Sequence, residues 1–491
     1  MFQKQVSFHV ILVLALGIVI AGCIASNNPL GVISHPCVAG GKNDSACNMV
    51  QGNGRNGVSP NVTGATISGG GSPELLNHVT GDYGTIGGGL DNSAGDRATV
   101  AGGSQNIANG FRAVVGGGNS NMASGAYSTL GGGENNISNF YYTTVSGGNN
   151  NTASGRLATI GGGSGNAASF TLATVSGGAN NIASGLESTV GGGSRNRADG
   201  TYATISGGSG NVADGLDATI GGGSGNIVTG HEGTIGGGLI NIAGGSFSAI
   251  PGGLSNRAAG AYSVAAGRRA NVRATHDGAF LYADSNDVDF DSQAANEFAV
   301  RATGGVRLVT AIDAAGNPSG GVRLAAGSGS WESLSDRNAK THLAPVVGRE
   351  ILERVVQLPV TTWSYKTQSP SIRHIGPMAQ DFYAAFAVGE DDRHIGSVDA
   401  DRVALAAIQG LYEAVQDKDA QINAQQQRLE ALENEIAAQR NQMAIVTARL
   451  EAIEAKNTLP SPLAALPINW LTLGGLGLFG TLAIQRRRAE R

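Results

Sequence analysis

Large rings, charges and thiols are scarce in this chain. Of 491 residues, 5% are aromatic and 14% are charged, against about 25% charged in an average domain. That composition excludes a conventional large globular core. There are three cysteines, and the eight histidines show no ligand spacing, so neither a metal site nor a cofactor is expected. A net charge of −5 is the wrong sign for a nucleic-acid partner. Acidic residues among the repeats, such as Asp199, Asp214 and Asp217, are scattered rather than paired, as two-carboxylate glycoside hydrolysis would require. Simple disorder is excluded too, because 41% of the chain is apolar.

What the chain has instead is glycine: 78 residues, more than twice the usual share of about 7%. The glycines recur in a fifteen-residue unit. ATVAGGSQNIANGFR begins at Ala98, AVVGGGNSNMASGAY at Ala113 and TTVSGGNNNTASGRL at Thr143, and the register runs to Ser263 without insertion. Less regular copies begin at Ala65 and Gly84. The third position is aliphatic (Val100, Val115, Leu130, Val145, Ile160) and the ninth is asparagine (Asn106, Asn121, Asn136, Asn151, Asn166). Fifteen residues are too few for a helix pair and suit one coil of a β-solenoid. Two short strands, ATI and NIA in type, alternate with glycine corners that need positive φ or close backbone approach. Stacking sets each aliphatic residue over its equivalent about 4.8 Å away and lets the asparagine amides bond along the ladder. One such coil buries little apolar area, and three chains around one axis would bury more, which favours a homotrimer. The fold expected is mainly β: a trimeric parallel β-solenoid or β-roll with 15-residue coils, then a small α/β domain and a long trimeric coiled coil.

Residues 65–272 resemble the head repeats of trimeric autotransporter adhesins, which are trimeric β-rolls of short repeats. The longer unit and its GGG and Asn positions make this a variant. The family's C-terminal β-barrel anchor has no counterpart here, which puts self-export by that route in doubt. The N-terminus, MFQKQVSFHVILVLALGIVIAGC, reads as a signal peptide over 1–23. It ends in IAGC, similar to a bacterial lipoprotein box, which makes Cys23 the lipidation candidate; cleavage near Ala25 is the alternative. Cys37 and Cys47, in the 24–64 linker, are candidates for a small disulfide loop in an oxidising compartment. Both features imply an exported protein, at a bacterial cell surface, membrane-associated, or secreted after cleavage.

Beyond the repeats, 273–334 holds alternating apolar segments and resembles connectors of phage tail-fibre-like proteins. A heptad pattern over 408–456 places Ile408, Val415, Ile422, Leu429, Ile436, Met443 and Leu450 at a, compatible with three strands or two. After a Pro-rich linker in 457–491, the uncharged run Leu463–Ile484 precedes Arg486–Arg488. It reads either as a membrane tail with its arginines cytoplasmic or as a hydrophobic trimer contact.

Between connector and coil, four separated motifs occur in order: SDRNAK at 335–340, LPVTTWSYK at 358–366, RHIGPMAQDF at 373–382 and VDADRVALAAIQGLYEAV at 398–415. They resemble the intramolecular chaperone domain of phage endosialidases and tail spikes, the self-cleaving serine peptidase family 74, also present in myelin regulatory factor. The resemblance implies a domain that trimerises, helps the preceding solenoid to fold, and then cuts itself off between Leu334 and Ser335. It implies Ser335 as nucleophile and Lys340 as general base. A lysine with its ordinary pKa of about 10.4 holds its proton, so burial or a cationic neighbour must weaken that hold. Arg337 is the candidate neighbour, Asp336 a candidate to orient the turn, and His374 a candidate shuttle or simply a structural histidine. A spacing of five sets Ser and Lys about 140° apart on a helix, so the motif must be a turn. Asp399 and Asp401 read as caps of a helix starting near Arg402.

Two functions follow. One is a surface or secreted trimeric fibre whose C-terminal domain folds it and cleaves itself once. The other is a non-cleaving, membrane-tethered adhesin in which the domain is only a trimerisation clamp. Partners expected are two further copies of the chain, a membrane through the tail and an N-terminal lipid, and a glycan or host-surface ligand.

Overall fold

The structure, a computed structural model, describes residues 48–457. Cys23, Cys37, Cys47, the signal segment and the apolar tail with its arginines lie outside the described residues. The chain divides into two units, one ending at Glu332 and one beginning at Ser333.

The first unit is a parallel β-solenoid. Each coil contributes two strands of two residues, such as Thr99–Val100 and Ile107–Ala108. Thr99 pairs with Val114 on the next coil, and Ile107 with Met122. A third ladder of single bridges runs through Ser104, Asn119, Glu134 and Asn149. Parallel pairing extends from Met49 to Arg301, further than the regular register, and the last coils lengthen where Val264–Arg268, Phe280–Ala283 and Phe298–Arg301 stack. One ladder has 16 strands, giving a length of roughly 70 Å at about 4.8 Å per strand.

Two residues per strand leave little room for cross-strand packing, so the stack is held by the repetition itself. Third-position side chains such as Val100, Ile160 and Ile205 are 0% exposed, as are the alanines Ala98, Ala108 and Ala123. The core thus closes within a single chain. The inner faces of the ladders cover each other, so the aliphatic column is buried without a partner.

The asparagine ladder is also more specific than amide stacking. Asn106 Nδ2 donates to Gly102 O on its own coil and Gly118 O on the next, both at 2.9 Å, while its Oδ1 accepts from the backbone N–H of Asn121 at 3.1 Å. Amide-to-amide bonds occur at some steps only, as from Asn121 to Asn106 at 3.1 Å. Gly118 O also receives Ser104 N at 2.9 Å, whereas the carbonyl of the preceding corner glycine, Gly102 O, takes its bond from the asparagine, as backbone groups away from water must be paired. Glycine is required at these corners: Gly178 has φ +86°, and a Cβ there would sit 2.1 Å from Gly193 O.

The second unit mixes short strands with helices α1 (Gly348–Gln357), α2 (Ala379–Phe386) and α3 (Ser397–Lys456). Thr361–Trp363 and His374–Gly376 form an antiparallel pair. Helix α1 starts directly on α3: a Cβ on Gly410 would lie 2.2 Å from Gly348 O, and Arg349 pairs with Asp417 at 2.6 Å. A glycine inside a helix costs about 1 kcal/mol relative to alanine; at Gly410 it permits this crossing. Helix α3 is 60 residues long, and its heptad residues Ile408, Leu411, Ile422 and Leu432 stand exposed. Among the described residues, no helix is long and apolar enough to cross a membrane.

Candidate functional site

The SDRNAK motif is a turn. Asp336 caps a 3-10 helix over Arg337–Ala339, accepting from Asn338 N at 2.9 Å and Asn338 Nδ2 at 3.2 Å. Backbone on both sides is extended, with ψ 134° at Asp336 and 146° at Lys340. One tight turn between two extended arms folds the fifth side chain back over the first. Lys340 Nζ consequently donates to Ser335 Oγ at 2.7 Å.

A second cation reaches the same oxygen. Arg402 Nη2 donates to Ser335 Oγ at 2.9 Å, and its Nη1 donates to Val398 O one turn back in α3 at 3.2 Å. Helix α3 begins at Ser397, five residues before the expected start, with Gly396 as an N-cap that makes no side-chain bond. Asp399 and Asp401 therefore lie inside the helix, where Asp399 in the first turn complements the dipole, and Arg402 is carried on the second turn. Sequence reading missed Arg402 because 67 residues separate it from Ser335. The only signal available was its place in the fourth of the ordered motifs.

The other candidates stand apart. Arg337 has no side-chain partner among the described residues, and its carbonyl receives Lys340 N at 3.2 Å. His374 bonds through Nε2 to Gln368 Oε1 at 2.9 Å and packs on the rings of Trp363 and Tyr365, 4.7 and 5.6 Å between centroids. No contact joins it to Ser335, Lys340 or Arg402 among the described residues. Leu334, Ser335, Lys340 and Arg402 are all exposed in the single chain. Among the described residues no group of His, Cys, Asp or Glu has a metal-binding arrangement.

Chemically, the arrangement places one hydroxyl oxygen under two cationic donors. Charge-assisted bonds of this kind favour a developing alkoxide. Lysine can also exchange roles, because a neutral amine accepts the hydroxyl proton that an ammonium cannot.

Residues 335–388 match the family model of peptidase S74, chaperone of endosialidase. Comparison with curated proteins yields no match to the chain. The matched segment carries Ser335, Lys340 and the first three motifs and stops short of Arg402. The chain thus joins a long parallel β-solenoid to a segment of endosialidase-chaperone type.

Proposed function

We propose that this protein is an exported trimeric fibre whose second unit assembles the chains, supports solenoid folding and cleaves once between Leu334 and Ser335. The observation that carries the reading is the shared oxygen: Lys340 and Arg402 both hold Ser335 Oγ. Neutral Lys340 takes the hydroxyl proton, Oγ attacks the Leu334 carbonyl, and the amide nitrogen of Ser335 leaves with the proton. The ester formed between the Leu334 acyl group and Ser335 Oγ is then hydrolysed by water, which returns the hydroxyl and frees the Leu334 carboxylate. Arg402, rather than the Arg337 that the sequence alone suggested, is the cation at the site and supplies a second charge-assisted donor to the attacking oxygen. Burial, the alternative way to weaken the lysine's hold on its proton, is missing in the single chain, where all three side chains are exposed. Neighbouring copies clustered around the exposed heptad face of α3 would provide it, which ties cleavage to assembly.

The signal segment, the lipobox-like Cys23 and the apolar tail support export and surface attachment. In that setting cleavage separates a rod from a membrane-side coil. The test is the denatured mass of the full chain, as wild type and as Ser335→Ala, with native mass measured in parallel. Two fragments meeting at Leu334/Ser335 in the wild type, and an intact mutant, support the peptidase. Intact trimers in both would leave the domain as a clamp only, and cleavage at a rate independent of chain association would refute the coupling.

A further inference from the structure

The solenoid's two strand faces are not alike. In the ATI-type strands the aliphatic residue points inward and the outward neighbour is usually threonine: Thr99, Thr129, Thr144, Thr159, Thr174. In the NIA-type strands the order is reversed. The alanine is inside, fully buried at Ala108, Ala183, Ala213 and Ala243, and the large aliphatic side chain is outside. Ile107, Ile137, Ile182, Val212, Ile227 and Ile242 form one outward column at the tenth repeat position. Ile107 and Ile182 keep 37% and 38% of their surface even though coils stack above and below them. Two residues on from these side chains stand small or polar residues: Asn109, Asn139, Ser184, Asp214, Thr229 and Gly244.

A solvated strand face should carry its polar residues outward, as the threonine face does. An outward column that is aliphatic from Ile107 to Ile137 and again at Ile182 and from Val212 to Ile242, interrupted at Thr152, Ala167 and Arg197, is the informative exception, since exposed apolar patches of some hundreds of Å² mark contact surfaces. Charge enters the column at Arg197 and Arg257, and the Arg197 guanidinium is turned onto Asp199 of its own chain.

We infer that this column is the face on which the solenoids of three parallel copies pack, each column turned toward the common axis. This rests on the trimeric reading above. The occupant follows from α3, whose heptad residues are uncovered over a 60-residue helix. Covering that seam brings further copies of this same chain alongside. Parallel copies in register then bring the tenth-position residues of equal height together. The nine coil steps from Ile107 to Ile242 make a band about 43 Å long and about 10 Å wide, on the order of 430 Å² per chain, about half of the ~800 Å² a standard interface buries per partner, to which the uncovered seam of α3 adds. Cyclic symmetry also suits a narrow column, because near a three-fold axis a stripe meets its own equivalents.

The experiment uses the full chain with Cys23, Cys37 and Cys47 changed to Ser and one cysteine introduced. Ile182→Cys places it on the aliphatic column and Thr174→Cys on the threonine face, one residue before the buried Val175. Both are treated with a short thiol cross-linker, and native mass is measured on the same samples. The expected result is trimeric mass for both, with Ile182→Cys moving most of the protein to a multi-chain band in denaturant and Thr174→Cys leaving it at one chain. Trimeric mass with cross-linking at position 174 and not at 182, or at neither, overturns the assignment of the face and leaves the trimer standing. Monomeric mass overturns both. Ile182→Ser, with no thiol, must stay at one chain; a multi-chain band there shows that the cross-linker reports something other than the column, and the assignment falls.

Discussion

Replacing Asn181 with alanine tests what holds one coil to the next. Asn181 Nδ2 donates to Gly177 O and Gly193 O, both at 2.9 Å, and its Oδ1 accepts from Asn196 N at 3.0 Å. After truncation, Gly193 O still receives Ala179 N at 2.9 Å. The Asn196 N–H is left without a partner in a buried corner, while the half-buried Gly177 O turns to water. A buried unsatisfied group costs about 1–3 kcal/mol, so the coil should lose about 2 kcal/mol. In a solenoid the loss stays with neighbouring coils. Hydrogen exchange should therefore accelerate about thirtyfold around residues 173–200, up to the limit of local opening, and little near 100. Asn181→Asp separates the acceptor from the donor roles. The carboxyl can still receive Asn196 N–H, but as an anion it faces two carbonyl oxygens, so its folded pKa rises above the ordinary value of about 3.9. Its stability is greatest below that value, where the protonated acid donates to one carbonyl, and falls as pH rises through the folded pKa. Less than threefold faster exchange in Asn181→Ala, or stability of Asn181→Asp that increases with pH, would refute the reasoning.

Three other outcomes follow from single contacts. Gly178→Ala should cost about 3 kcal/mol or more, since its Cβ would lie 2.1 Å from Gly193 O at φ +86°; Gly177→Ala, with nothing within 4 Å, should change stability by less than about 1 kcal/mol, and equal effects in chemical denaturation would contradict the corner geometry. Asp284 accepts from Thr303 N at 2.9 Å and Thr303 Oγ1 at 2.7 Å, then from Arg301 Nε at 2.9 Å, and these bonds hold its carboxyl far below the usual range. Its contribution is complete above the unfolded value of about 3.9 and is lost as pH falls from there toward the folded value, so exchange in 280–303 should rise below about pH 4 and Asp284→Asn should abolish that dependence. Arg402→Gln should slow cleavage by at least about tenfold with the trimeric mass unchanged, because one of the two charge-assisted donors to Ser335 Oγ is lost; an unchanged rate would take Arg402 out of the reaction.

The repeat was legible because its period never slips between Ala98 and Ser263. A constant third aliphatic and ninth asparagine identify the inward column and the corner clamp without reference to partners. The face of the NIA-type strands was not legible, because alternation fixes that neighbours point oppositely but not which points in. Alanine is inside there because the third-position side chains already fill the interior. The left-handed residues before each ATI-type strand were also hidden. Tyr127, Leu157, Glu187 and Asp217 all have φ near +60°, with nothing shared in their side chains, so backbone path rather than residue type sets that corner. In the second unit a local motif gave Ser335 and Lys340, while Arg402 arrives from a distant helix turn that only tertiary packing brings near.

That packing bears on why a repeating rod carries an aperiodic unit. A column of near-identical coils fits its neighbour almost as well after sliding by one coil, because the tenth position is aliphatic at most heights. Within the regular repeats Thr152, Ala167 and the two arginines, Arg197 and Arg257, four coils apart, are the few residues that distinguish one height from another. Helix α3 has a non-repeating seam, with Lys418, Gln425 and Gln439 at d positions among leucine, valine and isoleucine, and polar residues in such seams specify alignment. In the proposed trimer the second unit would set the alignment and the rod would inherit it. Mixing chains that carry Ile182→Cys with chains that carry Ile227→Cys separates the two sources. These residues differ by three coils, so a mixed trimer aligned by α3 cross-links only like heights. Removing 335–456 should let 182-to-227 products appear if the rod alone cannot hold register; their absence would place the alignment signal in the solenoid itself.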